Sequence, residues 1–309
     1  MNFLVTGANG LLGSRIGARL LDLGHRVRLS TRHPSLECHH SNSEVVITKW
    51  TDRDCLSRIT QGIDVVVHCA GMASGECAAN PKSAVEFNGH ATKRLVEASC
   101  MNAVKKFIYL STVHVYSENL SGTFDETMTT KNQHPYAKSK LIAEEFVLYN
   151  NLEHQMQRIV LRVSNCVGFS KFAPTRGWNL VANDLIKQAM ERKEINITGN
   201  FNAMRDFIPL SYLTEAVYYF SKKSTLSRHE SIFNISSGNA ISLLSLATQI
   251  QKLLYHNLNK VLPVNMQEDL AKIPTKLHIS NHKLMALGFS SDTKLRNEIT
   301  NILKYRKNC

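Results

Sequence analysis

The sequence predicts an α/β fold: a doubly wound parallel sheet with a smaller C-terminal domain interleaved with it. Three observations carry that expectation. An apolar run over residues 2–6 stops at Gly7, Gly10 and Gly13, after which Leu12, Ile16, Leu20 and Leu23 recur at helical spacing, so the chain opens as strand, glycine turn and helix. Short strand-like runs then alternate with helical patterns as far as residue 163, the rhythm of parallel strands joined by crossover helices. Beyond Gly168 the rhythm changes, and no repeat or low-complexity linker marks a clean boundary. The division expected is 1–165, with 203–240 returning to it, against 166–202 together with 241–309.

The elements follow in order. Gly24 closes the first helix, and a second strand covers 26–30. Further strands are expected over 44–48 and 64–68, the latter a nearly continuous apolar run of the kind found in sheets covered on both faces. A short helix fits 52–61, and the small residues of 71–75 suit a loop. Asn80-Pro81 supplies an N-cap and first-turn pair for one long helix to Met101, with Ala84, Phe87, Ala91, Leu95 and Ala98 on one side and Asn88 within it. Strands over 106–111 and 157–163 flank a helix over 136–151. A loop with Pro174 and Gly177 leads to a helix over 180–192, a short strand around Ile195 and a polar loop carrying Arg205-Asp206; 231–235 then returns to the sheet. Ser242 caps a helix striped by Leu243, Ala247, Ile250 and Leu254, and Asp292 is expected to cap a last helix over 293–305.

Composition narrows the function. With 309 residues and 43% hydrophobic content the chain has ample core for one large or two modest domains. No apolar run approaches the ~20 residues that span a bilayer, and the seven scattered cysteines lack CxxC spacing, so reduced thiols and a cytoplasmic protein without a membrane partner are expected. Cys38, His39 and His40, near His33, fall in a loop after Pro34 and are not read as a metal site. The net charge of +12 favours polyanionic partners, but the basic cluster of Lys304, Arg306 and Lys307 carries no aromatic interleaving, so a solvated tail or a cleft for diphosphate ligands is expected rather than nucleic acid.

The motifs say which diphosphate. A glycine turn between strand and helix keeps side chains away from backbone amides, and a phosphate placed there meets the unpaired N–H groups and positive dipole end of the helix. The spacing G-x-x-G-x-x-G differs from the common G-x-G-x-x-G fingerprint. After the second strand stand Ser30, Thr31 and Arg32 without a carboxylate; an acid there takes ribose hydroxyls and a base accommodates a 2′-phosphate, so NADP(H) is favoured over the alternative, NAD(H). Tyr136 and Lys140, four apart at a helix start, share one face, and Thr112 follows a strand, where open α/β sheets place ligands. A phenol ionises near pH ~10, and a neighbouring ammonium favours the phenolate. With a hydroxyl to hold the substrate oxygen, the trio can move a proton while a nicotinamide moves a hydride.

At these residues the chain resembles the extended short-chain dehydrogenase/reductase family, in its branch of nucleotide-sugar epimerases, dehydratases and reductases. The resemblance runs nearly end to end, through TGANGLLG (6–13), DVVVHCAG (64–71), NGHAT (88–92), LSTVHVYS (110–117), PYAKSK (135–140), LRVSNCVG (161–168), RDFIPLSYLTEA (205–216) and FNISSG (233–238). It implies a Rossmann domain for the cofactor, a substrate-binding domain for a nucleotide diphosphate sugar, and a homodimer paired through the helices over 80–101 and 136–151. It implies Thr112, Tyr136 and Lys140 as catalytic residues. Cofactor contacts are expected from Gly7, Asn9, Gly10, Leu11, Leu12, Gly13, Thr31, Arg32, Ala70, Gly71 and Asn88, with Tyr136 and Lys140, and substrate contacts from His114, Asn165, Asn179 and Arg205. Lys49 stands where the family often has an acid facing adenine, and Tyr212 where a closing aspartate is common.

Sugar dehydratases of this kind carry Asp-Glu after the triad threonine, where this chain has Val113 and His114, which speaks against dehydration. An epimerase working by transient hydride transfer is favoured by the VYS ending of 115–117; Thr31-Arg32 suits the alternative, an NADPH-dependent reductase of a nucleotide-linked keto-sugar. A non-catalytic dinucleotide-binding protein is a minor alternative, because such proteins usually lack the tyrosine or the lysine.

Overall fold

The computed structural model describes residues 1–149, 155–172, 177–223, 226, 231–258, 261–266 and 276–307. Seven strands form the main sheet: β1 (Asn2–Thr6), β2 (Arg26–Thr31), β3 (Ser43–Ile47), β4 (Val65–His68), β5 (Lys106–Thr112), β6 (Gln157–Val163) and β7 (Ile232–Ile235). Their order is β7-β6-β5-β4-β1-β2-β3, and every pairing is parallel.

Strand periodicity explains how both faces are covered, since successive side chains point to opposite sides. Phe3, Val5, Val65, Val67, Ile108, Leu110, Ile159 and Leu161 join one core with residues of the Leu11–Asp22 and Leu210–Lys222 helices. Leu4, Val66, Phe107, Tyr109 and Val160 join the other, with residues of the Arg53–Thr60, Ala91–Met101 and Pro135–Leu148 helices. A separate apolar core gathers Leu185, Ile186, Leu246, Ile250, Ile299 and Ile302 from the Val181–Glu191, Leu243–Leu258 and Leu295–Lys307 helices. Ser242 Oγ accepts from Ser245 N (3.1 Å) at the start of the second of these. The first helix is tied toward that core by Arg15, which pairs with Glu298 at 2.9 Å, and by Ser14 Oγ, 2.8 Å from Ser170 Oγ.

Several elements differ from the sequence expectation. The Leu210–Lys222 helix was not anticipated: its buried residues include Tyr212, Thr214 and Ser221 beside Leu213, Val217 and Phe220, so no clean polar face announces it. Its terminal carbonyls are met by a lysine from the first position of β5, whose Nζ donates to Phe220 O (2.7 Å), Ser221 O (3.1 Å) and Lys223 O (2.7 Å). Ser74–Ala79 is a helix where a loop was expected across 71–75. The single helix expected from Asn80 to Met101 contains a π-helical turn, Val85–His90, between Pro81–Ala84 and Ala91–Met101. The last helix begins at Leu295, so Asp292 lies outside it. Two short strands, Gly122–Phe124 and Leu277–Ile279, pair in parallel and were not foreseen. The helix expected over 136–151 spans Pro135–Leu148, with Tyr149 extended at its end, and Pro174 lies outside the described residues.

The sheet order reverses between β1 and β4. Crevices at such a reversal, outside the carboxyl ends of the strands, are where open α/β sheets receive ligands.

Candidate active site

Gly7 follows β1 with φ +66°, and a β-carbon there would stand 2.9 Å from Ala70 N and Cα. At Gly13 a β-carbon would come 2.3 Å from Gly7 O, which only glycine avoids. The turn closes through Gly10 N to Gly7 O (2.8 Å), and the helix starts at Leu11 with no side-chain cap. Its first N–H groups are therefore left for an anion. Leu11 itself packs toward Gly177, and Leu12 lies partly buried against the core, so their contribution to such a ligand is backbone. A cleft of about 120 Å³ opens here, lined by Gly7, Asn9 and Gly10 below, Thr31 and Arg32 at one end, and Ala70 and Gly71 at the other, with Trp50 and Phe87 alongside. Thr31 is buried, its Oγ1 accepting from His33 N (3.0 Å), while Arg32 is exposed. A glycine cradle, an uncapped helix start and an arginine without a carboxylate beside it fit a dinucleotide.

Beneath the cleft a chain of hydrogen bonds fixes its floor. Thr6 Oγ1 accepts from Cys69 N and Ala70 N (both 3.1 Å), so its own proton faces His68 Nδ1 at 2.7 Å. That leaves the hydrogen of the neutral imidazole on Nε2, 2.9 Å from Thr92 Oγ1, and Thr92 in turn donates to Asn88 O at 2.6 Å. Burial holds His68 neutral, with a pKa lowered to about 3. Asn88, 1% exposed, accepts from Met72 N (2.7 Å) and donates to Ser139 Oγ (2.9 Å) and Cys77 Sγ (3.5 Å). Its side chain spans protein atoms and holds the 71–72 loop to the next helix.

That helix, Pro135–Leu148, brings Tyr136 and Lys140 beside the end of β5. Its start is set by Asn132, which donates to His114 O (2.7 Å) and accepts from His134 N (2.8 Å), while His134 Nδ1 accepts from Tyr136 N (3.2 Å). Thr112 ends β5 close to the Tyr136 phenol, and its hydroxyl accepts from His114 N at 3.2 Å. Lys140 is buried, donates to Leu110 O (3.0 Å), and holds its Nζ 4.9 Å from the Tyr109 ring centroid and 5.9 Å from that of Tyr136. Gly71 leaves room for it: a β-carbon there would lie 3.4 Å from that Nζ. Behind the trio Ser111 donates to Glu144, which receives Arg162 at 2.7 Å.

In the charge state of the pair, burial dominates over the expected pull of the lysine toward the phenolate. Burial pushes Tyr136 up to about 12, with the Cys77 and Cys166 thiols acting in the same sense and Thr112 opposing, and burial pulls Lys140 down to about 8. Desolvation outweighs the neighbouring ammonium. At neutral pH the pair is a protonated phenol beside an ammonium, suited to donating a proton.

On the open side His114 sits in the Val113–Val115 turn directly after Thr112; burial first, and then Arg205, hold its pKa below the ordinary histidine value, with the nearby Asn165 side chain opposing. Asn165 also donates to Asp206 O at 2.9 Å. Arg205 has a buried Nε with no hydrogen-bond partner among the described residues, and burial lowers its pKa. An unneutralised cation a few residues from the trio is a place for an anion. Asn179 is exposed ahead of the Val181–Glu191 helix and makes no hydrogen bond to this group. Sequence reasoning missed His68, Thr92, Asn132 and Phe87. Among the described residues no group of three or more His, Cys, Asp or Glu side chains could hold a metal ion, and no helix is long and apolar enough to cross a membrane.

A family model described as the NAD dependent epimerase/dehydratase family matches residues 3–236. A 3 beta-hydroxysteroid dehydrogenase/Delta 5→4-isomerase of Mycobacterium tuberculosis is 35% identical over 176 residues, 53% of this chain and 47% of the relative, so the match spans about half of that protein's length. A dTDP-D-glucose 4,6-dehydratase of Bos taurus is 27% identical over 256 residues, 81% of this chain and 69% of the relative. Among solved structures, a UDP-N-acetylglucosamine 4-epimerase from Methanobrevibacter ruminantium M1 in complex with UDP-N-acetylmuramic acid superposes with a TM-score of 0.85 at 21% identity, covering 99% of this chain and 98% of that one.

Proposed function

Because the chain belongs to the NAD-dependent epimerase/dehydratase family, shown by the match over residues 3–236, we propose that it is a nucleotide-sugar epimerase that works by transient hydride transfer at a sugar carbon, with NADP(H) favoured as its cofactor. The observation that carries the reading is the Lys140 ammonium, tied to Leu110 O at 3.0 Å and held 5.9 Å from the Tyr136 ring centroid, beside Thr112 at the carboxyl end of β5. The nicotinamide, when bound, exchanges a hydride with the sugar carbon. Tyr136 exchanges the proton of the oxygen on that carbon, Thr112 holds the same oxygen, and Lys140, beside the phenol, meets the nicotinamide ribose. The glycine turn and the helix start at Leu11 hold the cofactor diphosphate.

The substrate side supports a nucleotide diphosphate sugar over a sterol. Arg205, Asn165 and His114 present a cation and polar groups, and a sterol offers them no anion. Val113 and His114 replace the acid pair of the dehydratases, which turns the reading away from elimination. A reductase of a nucleotide-linked keto-sugar is the second reading, favoured by the absence of a carboxylate at Thr31-Arg32. The residues assembled in the separate apolar core, within 166–202 and 241–309, are read as the substrate-binding domain.

Proton NMR of UDP-hexoses incubated with the protein and catalytic NADP(H) or NAD(H) tests the proposal. An epimer forming with no net change in nicotinamide absorbance supports it. Stoichiometric bleaching of NADPH by a nucleotide keto-sugar transfers support to the reductase, and absence of both reactions removes the catalytic reading.

A further inference from the structure

Phe87 stands in the π-helical turn Val85–His90, one residue before Asn88, and lines the cleft with Trp50 and Arg32. π-Turns inside helices gather at functional sites. The Phe87 ring is met edge-on by Trp50, with centroids 5.6 Å apart at 81°, and its own face carries the Arg32 guanidinium, Cζ 4.4 Å from the centroid. Trp50 is fixed in its turn: it is buried, its ring packs 5.6 Å from that of His68, and its carbonyl accepts from Arg94 Nε (2.9 Å), an arginine paired with Glu86 at 2.7 Å. Arg32 is exposed and has no ion pair or hydrogen bond among the described residues, so the ring is what fixes its head.

We propose that Phe87 is a positioning residue that sets cofactor choice: by stacking Arg32 at the adenosine end of the cleft, it presents the guanidinium fork to the 2′-phosphate of NADP(H). The inference rests on the reading of the cleft as a dinucleotide site made above. Stacking uses the face of the guanidinium and leaves its in-plane N–H donors free, which is the geometry that bidentate phosphate recognition needs. An exposed arginine ordinarily loses rotamer freedom when a ligand fixes it, and a head already held has less to lose. A ring that merely filled space would affect NADP(H) and NAD(H) alike, because the two differ only at the 2′-phosphate.

Dissociation constants for NADPH and NADH, measured by calorimetry and by quenching of tryptophan fluorescence on the purified full chain, test this. The wild type is expected to bind NADPH more tightly. Phe87→Leu is expected to reduce the NADPH:NADH preference by roughly 3- to 10-fold with NADH affinity unchanged, and Phe87→Tyr, which keeps the ring face, to restore it. A wild type that binds NADH equally or better overturns both the cofactor preference and this role for Phe87. A wild type that prefers NADPH, with Phe87→Leu leaving the ratio intact or weakening both cofactors equally, overturns the role of Phe87 alone.

Discussion

Acid should loosen this protein through His68. The imidazole lies 1% exposed, accepts the Thr6 hydroxyl proton at Nδ1 and donates from Nε2 to Thr92. Protonation would aim a second N–H from Nδ1 at a hydroxyl already committed to donating there, and would leave a charge among Trp50, Phe107 and Tyr109. The sign follows directly. The native pKa, lowered by burial to about 3 from the ordinary histidine value of 6.5, lies below that of the unfolded chain, so the unfolded chain binds the extra proton as pH falls below 6.5 and stability is lost from there down to pH 3. At 1.36 kcal/mol per unit the ceiling is about 5 kcal/mol, of which about 2 kcal/mol is lost by pH ~5. The comparison is His68→Gln, which offers polar atoms to the same neighbours and does not titrate. Urea unfolding near pH 7.5 and pH 5 should give a wild type that loses about 2 kcal/mol more than the variant between the two conditions. His25 and His114, whose pKa values are also lowered, are present in both proteins and cancel in the difference. Equal losses in wild type and variant would refute the argument and place the acid sensitivity elsewhere.

Other expectations are as concrete. Gly13→Ala puts a β-carbon 2.3 Å from Gly7 O, so the turn must open: equilibrium dialysis should show dinucleotide affinity falling at least tenfold, with a stability loss of about 1–3 kcal/mol. Tyr136→Phe should keep cofactor affinity and lower turnover by roughly 10² to 10⁴, and unchanged turnover would rule out the tyrosine as the proton carrier. In the direction that needs a phenolate, wild-type turnover should climb with pH through neutrality, because burial holds the Tyr136 pKa up at about 12; a rate independent of pH between about 6 and 9 would contradict this. Light scattering at micromolar concentration should give twice the 34.8 kDa chain mass, as the likeness of the helices at Pro81–Met101 and Pro135–Leu148 to paired family helices implies.

What was legible in the sequence was local. Gly7, Gly10 and Gly13 declare a turn because the strand and helix patterns abut them, and Tyr136 and Lys140 share a helix face by spacing alone. The Leu210–Lys222 helix escaped because its stripe is mixed with Tyr212, Thr214 and Tyr219 and its two sides are both largely buried, which blurs the amphipathic signal. His68 reads as one more residue in an apolar strand, and nothing in DVVVH says that its ring will meet Thr6 and Thr92. Phe87 reads as one apolar residue of a helix, yet its partner Arg32 is 55 positions earlier, as 87 − 32 shows. The tyrosine's protonation was not legible for a related reason: spacing locates a lysine, whereas burial, which here dominates, belongs to the assembled fold.

The long-range contacts join the two halves of the site into one structure. From the cofactor side, Ala70 N–H enters Thr6, Thr6 donates to His68, His68 to Thr92, and Thr92 to the Asn88 carbonyl. From the same residue the Asn88 amide donates to Ser139, and Ser139 donates to the carbonyl of Tyr136. Asn88 lies within the π-turn, its carbonyl accepting from Thr92 and its side chain reaching Ser139 of the catalytic helix. A loop that closes on a dinucleotide and a helix that carries the tyrosine are thereby held in one register, and the links from Thr6 to Thr92 require His68 to be neutral. This gives Asn88 a physical task different from touching the cofactor: it sets the position of Tyr136 relative to the loop at Ala70 and Gly71, across a span no single element of the fold could bridge.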